Sequence, residues 1–181
     1  LTSGQVLTYK GKGFKAFFHS TSGGITTSPE AAFGMQGGLE PLNGSDLGEF
    51  CKDSPKFNWN VRVGKGEVNA RLIEWRVGIS DCIRISVTAS APSGHAMTLR
   101  LFSRDGKSVE VRAIDFRFKM GLPSTNFESA RDGNDWVFTG KGYGHGCGMC
   151  QWSAHGMAKA GWNHDKILRA MYPGAEVQTL Y

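Results

Sequence analysis

The sequence predicts an α+β fold: one antiparallel, β-rich domain over residues 1–181 with short helices, two of them near the C-terminus. Three observations carry this. Arg104-Asp105-Gly106 and Asp132-Gly133-Asn134 each separate two short apolar-rich runs, the pattern of a β-hairpin with an Asp-Gly-type turn. Helical spacing is concentrated in the last part of the chain, after Cys147. The 25 glycines favour many turns and loops, and neither an internal repeat nor a low-complexity linker interrupts the pattern. The length suits one domain with ample apolar content for a core.

In chain order, Val6 and Thr8, then Phe14, Ala16 and Phe18, alternate around the turn-like Lys10-Gly11-Lys12-Gly13, which predicts an opening hairpin within Leu1 to Ser22. A chain that opens on a strand without a methionine is expected to be processed or trimmed. His19-Ser20 then enters a polar loop, Thr21 to Ser28, in which Gly23-Gly24 permits a tight turn or a close approach to a ligand. From Glu30 to Asn60, Gly37-Gly38, Pro41, Asn43-Gly44 and Pro55 predict loop with short elements at best. Val68, Leu72 and Trp75 predict a short helix from about Gly66. Cys82 to Val87 reads as a strand. Ala96 to Phe102 with Lys107 to Val111, and Phe127 to Ala130 with Trp136 to Thr139, read as the two hairpins. Between them Ile114 to Met120 gives one or two helical turns, stopped by Gly121 and Pro123. The last helix starts at Asn163, a good N-cap, carries Ile167, Leu168 and Met171 as its apolar stripe, and ends at Pro173-Gly174.

The net charge of +5 and a pI near 9.1 favour a polyanionic partner: nucleic acid, anionic lipid or an acidic cell-wall polymer. No Lys/Arg cluster is dense enough for a dedicated nucleic-acid arm. No apolar run approaches membrane-spanning length, so no membrane span is expected.

The stretch Gly140 to Gly161, GKGYGHGCGMCQWSAHGMAKAG, holds most of the chemistry. Alternating glycines at Gly140, Gly142, Gly144 and Gly146 let backbone approach something closely, and feed a helix whose N-terminus would present free N–H groups to a ligand oxygen. Neither the G-x-G-x-x-G nor the G-x-x-x-x-G-K-[ST] pattern is present, so nucleotide binding has little support. His145, Cys147 and Cys150 could supply three zinc ligands, with His155 or His19 as a fourth, yet no second C-x-x-C exists. A thiol nucleophile near His145 or His155 is a further alternative. Structural packing of both cysteines outweighs these, and no metal or cofactor is expected. Gln151 and His155, four apart, share a helix face, while Trp152 points elsewhere. On one reading Trp152 and Met157 are core and Gln151 and His155 are solvated; on the other, Gln151 and His145 line a sugar cleft, with an aromatic platform nearby. Cys51 and Cys82 are far apart in sequence and could bridge.

This stretch resembles the C-terminal signature of the SpoIID/LytB family, roughly G-x-G-x-G-H-G-V-G-M-S-Q-W-G-A-x-G-M-A-x-x-G. The match includes His145, Gly148, Met149, Gln151, Trp152, Ala154, Gly156 and Gly161, and departs at Cys147, Cys150 and Ser153. Phe17 to Gly24, FFHSTSGG, resembles the family's F-[YF]-H-S-x-S-G-G block, and Tyr172-Pro173-Gly174 its closing Y-P-G. The resemblance implies an extracytoplasmic protein, in the cell wall, the periplasm or secreted, that binds and cleaves peptidoglycan glycan strands as a lytic transglycosylase. The alternative is a non-catalytic cell-wall module or amidase activator. Implied partners are glycan strands, other cell-wall hydrolases, and the protein's own N-terminal segment. The implied substrate-binding residues are His19, Ser20, Gly23, Gly24, His145 and Gln151, on one cleft. The family's general acid is a glutamate in a segment before the strand that Leu1 to Tyr9 resembles, and none of the glutamates here stands in a matching motif. The catalytic acid is thus unknown, Glu30 and Glu40 lying nearest the His19 block.

Overall fold

The computed structural model of the protein describes residues 4–36 and 38–179, so Leu1 to Ser3 of the expected first hairpin, and Gly37, lie outside the described residues. The α+β expectation holds: short helices pack on small sheets that are antiparallel but for one pair. The chain begins on one core, leaves for a second, and returns. The first stretch contains β1 (Gln5–Tyr9), β2 (Lys12–Gly13), β3 (Phe18–His19), α1 (Pro29–Phe33) and a 3-10 turn at Glu40–Leu42. The central stretch runs through β4 (Asn58–Gly64), α2 (Lys65–Trp75), β5 (Cys82–Ser90), β6 (Ala96–Ser103), β7 (Ser108–Arg112), α3 (Ala113–Met120), β8 (Phe127–Asp132) and β9 (Asp135–Lys141). The return stretch holds β10 (Met149–Cys150), α4 (Gln151–Lys159), α5 (His164–Met171) and β11 (Glu176–Thr179).

The central core is made within the middle of the chain, largely from hairpin neighbours, with β4 closing onto β9 at the far end of that stretch. β5-β6-β7 and β4-β9-β8 are two antiparallel sheets, and the Asp-Gly and Gly-Asn turns close hairpins where expected. Leu99 and Leu101 from β6, Trp136 and Phe138 from β9, Val68 and Leu72 from α2, and Phe116 and Met120 from α3 are buried together. Phe116 lies between Phe127 and Phe138, at 6.1 and 6.0 Å between ring centroids. The loop expected from Glu30 to Asn60 ends inside β4, whose first three residues are strand and whose remainder has no assignment from sequence. Trp59, Val61 and Val63 alternate there, and Trp59 and Val63 face the core. Three polar or charged residues, Asn58, Asn60 and Arg62, alternate with them on the exposed face.

The flanking core is made from the two ends of the chain. β1 pairs antiparallel with β11, from Gln5 opposite Thr179 to Thr8 opposite Glu176. The opening hairpin is shorter than its alternation predicts and stops at Gly13. Beyond it Phe14 packs edge-on to Tyr172 at 5.9 Å and Phe17 joins the same core, so their burial, not a ladder, sets the path. β3 pairs instead with β10, in parallel, Phe18 opposite Met149 and His19 opposite Cys150. The buried Tyr172 hydroxyl donates to the Phe17 carbonyl at 2.6 Å and accepts from the Met149 N–H at 3.2 Å, clamping the two strands. Within the expected loop, Ser28 caps α1, Pro29 opens it and Gly34 ends it at φ +74°. Asn163 caps α5 as expected, accepting from the Lys166 N–H at 2.9 Å.

A bridge between Cys51 and Cys82 is overturned. Both are free thiols in different cores, Cys82 in the central one and Cys51 in the flanking one beside Cys150.

Candidate functional site at the junction of the two cores

The chain passes from the central core back to the flanking core through Gly142 to Gly148. The glycines there do allow close approach, but the partner is the protein itself. A Cβ on Gly144 would lie 2.9 Å from the Cβ of His19; one on Gly146 would overlap the His95 ring, and one on Gly148 the Phe17 carbonyl. Gly144, Gly146 and Gly148 all have positive φ, so the tight fit and the left-handed backbone demand the same residue.

The expectation of free N–H groups is corrected for the same reason. The Gly142 N–H reaches the Lys56 and Phe57 carbonyls, Tyr143 and Thr21 exchange backbone bonds at 3.0 and 2.8 Å, and Gly144 donates to Pro123 at 3.0 Å. The Trp152 N–H is taken by the Ser20 carbonyl at 3.1 Å. This loop packs against residues 17–21, 56–57, 95 and 123 rather than cradling an anion.

His19 and His145 are brought side by side, with ring centroids 5.5 Å apart, although 126 residues separate them. His19 is buried, and its Nδ1 donates to the Cys147 carbonyl at 3.1 Å, which leaves Nε2 unprotonated and without a partner. Burial pushes its pKa down to about 3, with the neighbouring His145 and His95 acting in the same direction. His145 is half-buried among Phe17, Phe33 and His19, 4.9 Å from the Phe33 centroid. Its Nδ1 accepts the Cys147 N–H at 3.1 Å, and burial, then Arg117, holds its pKa below the ordinary imidazole value. Both rings are therefore neutral and suited to packing and hydrogen bonding rather than carrying charge.

Ser20 Oγ lies 3.3 Å from Thr21 Oγ1, and Thr21 Oγ1 lies 2.7 Å from Ser54 Oγ. Gly23 and Gly24 make the turn beyond, both at positive φ. Gln151 follows β10 directly and is exposed. It lines a hollow of about 240 Å³ with Trp152 and His155. Trp152 thus shares the face of Gln151 and His155 instead of pointing elsewhere, and its ring meets His155 edge-on at 6.1 Å. The structure unites His19 with His145, and Ser20 with the start of α4. Gln151 opens onto the hollow beyond. Phe18 and Tyr143 stand out around this junction, 59% and 48% exposed.

Among the described residues no three His, Cys, Asp or Glu side chains are grouped as metal ligands, so His145, Cys147 and Cys150 do not assemble into a zinc set. Cys147 is buried in the flanking core, and burial pushes its thiol up to about 12. Cys150 is the N-cap of α4, its Sγ accepting the Ser22 and Ser153 N–H groups at 3.2 and 3.3 Å. Hydrogen bonding with Cys150 draws the Cys51 thiol down, and that contact, with burial, pushes Cys150 up. All four cysteines are inaccessible to a substrate.

The sequence reading missed His95. It lies just past the tip of the β5–β6 hairpin, is buried against Gly146, and its Nδ1 is 3.0 Å from Ser93 Oγ. Burial, then Arg117 and His145, pushes its pKa down to about 4. A lone histidine beside a Ser-Gly turn carries no sequence signal for such a long-range contact.

A family model described as Domain of unknown function (DUF8618) matches residues 44–148, from before β4 to the end of the glycine loop. Stage II sporulation protein D of Bacillus subtilis is 34% identical over 176 residues, 97% of this chain and 48% of that protein. An amidase enhancer of Bacillus subtilis is 43% identical over 70 residues, 37% of this chain and 10% of that protein. The chain belongs to the SpoIID/LytB family and to DUF8618. An uncharacterized protein of Brachyspira hyodysenteriae is 31% identical over 176 residues, 96% of this chain and 45% of that relative. The chain spans about half the length of the curated relatives that it matches over nearly its whole length. In SpoIID/LytB terms, the junction unites the FHS block of β3 with the glycine-rich signature through the β3–β10 pair.

Proposed function

We propose that this chain binds peptidoglycan glycan strands in cell-wall remodelling or sporulation, outside the cytoplasmic membrane, and forms the sugar-holding part of a lytic transglycosylase. The observation that carries this reading is the β3–β10 pair. It brings two glycine-flanked polar blocks together from opposite ends of the chain and surrounds them with exposed aromatic rings. Sugars suit such a surface, because their hydroxyls need donors and acceptors and their C–H faces stack on rings. Gln151, with Trp152 and His155, and Ser20 and His145 are the residues assigned to the strand; His19, Gly23 and Gly24 hold the backbone beneath them. The names of the relatives, stage II sporulation protein D and amidase enhancer, support a role in the wall. No helix among the described residues is long and apolar enough to cross a membrane.

Cleavage of this kind protonates the leaving glycosidic oxygen while the muramyl 6-hydroxyl closes onto the anomeric carbon, giving an anhydro end. The proton donor needs a raised pKa, as in a partly apolar cleft. Every glutamate of this chain, Glu30 and Glu40 included, is exposed. The aspartates that shift go down: Asp81 to about 2, held by Lys65 and Arg104, and Asp105 and Asp165 also below the ordinary range. On this reading the acid is not among these carboxylates. Incubation of the 181-residue chain with stem-peptide-free glycan strands is expected to show binding without anhydro-muramyl ends by mass spectrometry. Efficient formation of those ends would overturn the assignment and turn attention to Glu30 and Glu40. The amidase-enhancer relative favours a second reading, stimulation of a cell-wall amidase, which zymography with an added amidase separates from strand cleavage.

A further inference from the structure

A half-buried arginine stands beside the junction without an acidic partner. Among the described lysines and arginines, only Lys65, Arg71 and Arg117 are not exposed. Lys65 pairs with Asp81 at 2.6 Å and Arg71 with Glu67 at 2.5 Å, but among the described residues no carboxylate lies within 4.0 Å of Arg117. Removing a guanidinium from water is unfavourable unless an anion compensates it, and desolvation indeed draws the Arg117 pKa below the ordinary arginine value. Its Nε donates to the Leu122 and Pro123 carbonyls at 3.2 and 3.1 Å, which fixes the guanidinium plane. The two terminal nitrogens, which form the fork that grips a carboxylate, have no protein partner among the described residues.

The surroundings fit a sugar. The Pro123 carbonyl that receives Arg117 also receives the Gly144 N–H, so the guanidinium is tied to the glycine loop. Phe118, 69% exposed, has its ring centroid 5.0 Å from the guanidinium carbon, and the exposed Tyr143 lies within electrostatic reach of it. We propose that Arg117 anchors a carboxylate of the ligand, with Phe118 and Tyr143 as stacking surfaces, and that the ligand is an acidic amino sugar within a glycan strand. This rests on the glycan reading above and adds to it the charge that is recognised. A polyphosphate strand would call for a row of cations; here the groups beside Arg117 are the neutral His95 and His145.

The test is calorimetric binding of the 181-residue chain to stem-peptide-free glycan strands, native and with their carboxyls methyl-esterified. Esterification is expected to weaken binding about tenfold or more, the usual worth of a charge-assisted fork. Arg117→Met is expected to bind both strands equally, at the level of the esterified one, with an unchanged circular dichroism spectrum. Equal binding of the two strands by the unaltered chain overturns the proposal while leaving the glycan reading intact, and needs no variant. Discrimination retained in Arg117→Met also overturns it. Failure to bind either strand removes the glycan reading and this inference together, and equal affinity for a single-stranded oligonucleotide overturns the choice of ligand.

Discussion

The central core and the flanking core solve the same burial problem with different contacts. In the central core three of the four strand pairs, β5–β6, β6–β7 and β8–β9, are hairpins between sequence neighbours, only β4 reaches across to β9, and leucines and aromatic rings fill the space. In the flanking core the pairs join residues 5–8 to 176–179 and 18–19 to 149–150, and buried Ser22, Thr21, Ser54 and Ser153 sit among Cys51 and Cys150. Most of the first arrangement can form locally, through its hairpins. The second closes only when both ends of the chain have arrived, which costs loop-closure entropy and makes it depend on specific polar contacts. The candidate site lies where the second meets the first, and its backbone geometry is set by hydrogen bonds at fixed distances.

This contrast can be broken by three measurements. Phe116→Ala opens a cavity between Phe127 and Phe138 in the central core, and should lower stability in urea by about 3–5 kcal/mol. A loss below about 1 kcal/mol would show that this core does not depend on tight packing. Acid should strike the junction instead. His19 and His95 fall from 6.5 to about 3 and about 4 on folding, so protonation favours the unfolded chain. Their contribution is complete above pH 6.5 and declines as the pH falls toward the folded values. Each should cost about 2 kcal/mol at pH 5 relative to pH 7. A His19→Gln variant should show a smaller pH 7-to-5 difference in urea midpoint, and an equal difference would contradict the role of His19. The smallest effect is expected at Cys150→Ala, which removes the sulfur that caps α4 and receives the Ser22 N–H, at about 1 kcal/mol. Cys150→Ser should recover part of that loss; no recovery would show that the cysteine acts by volume alone.

Legibility in the sequence follows the same division. The β6–β7 and β8–β9 hairpins, α2, α3 and α5 could be read from turn residues, caps and periodicity, because those signals act over a few residues. β4 was legible in principle from its Trp59-Val61-Val63 alternation but was hidden behind the proline- and glycine-rich run before it. β11 is four residues long and gains its strand character from β1 alone, so no local signal marks it. The glycine-rich stretch was rightly read as a place of close approach. Its partners, His19, His95 and the Phe17 carbonyl, were not legible, because a glycine shows that something comes near without showing what. Arg117 was invisible for the opposite reason: its meaning lies in the carboxylate it lacks, and only the fold decides which charges are paired.

The β1–β11 ladder also has a mechanical consequence. Because Gln5 lies opposite Thr179 in antiparallel register, both outer ends of the pair leave at the same edge. Tension applied through the two ends would therefore load the bonds one rung at a time, peeling the ladder like a zipper instead of shearing all rungs together. Under such tension this seam yields first, while the antiparallel sheets of the central stretch, which take no part in that seam, stay unloaded until the flanking core has opened.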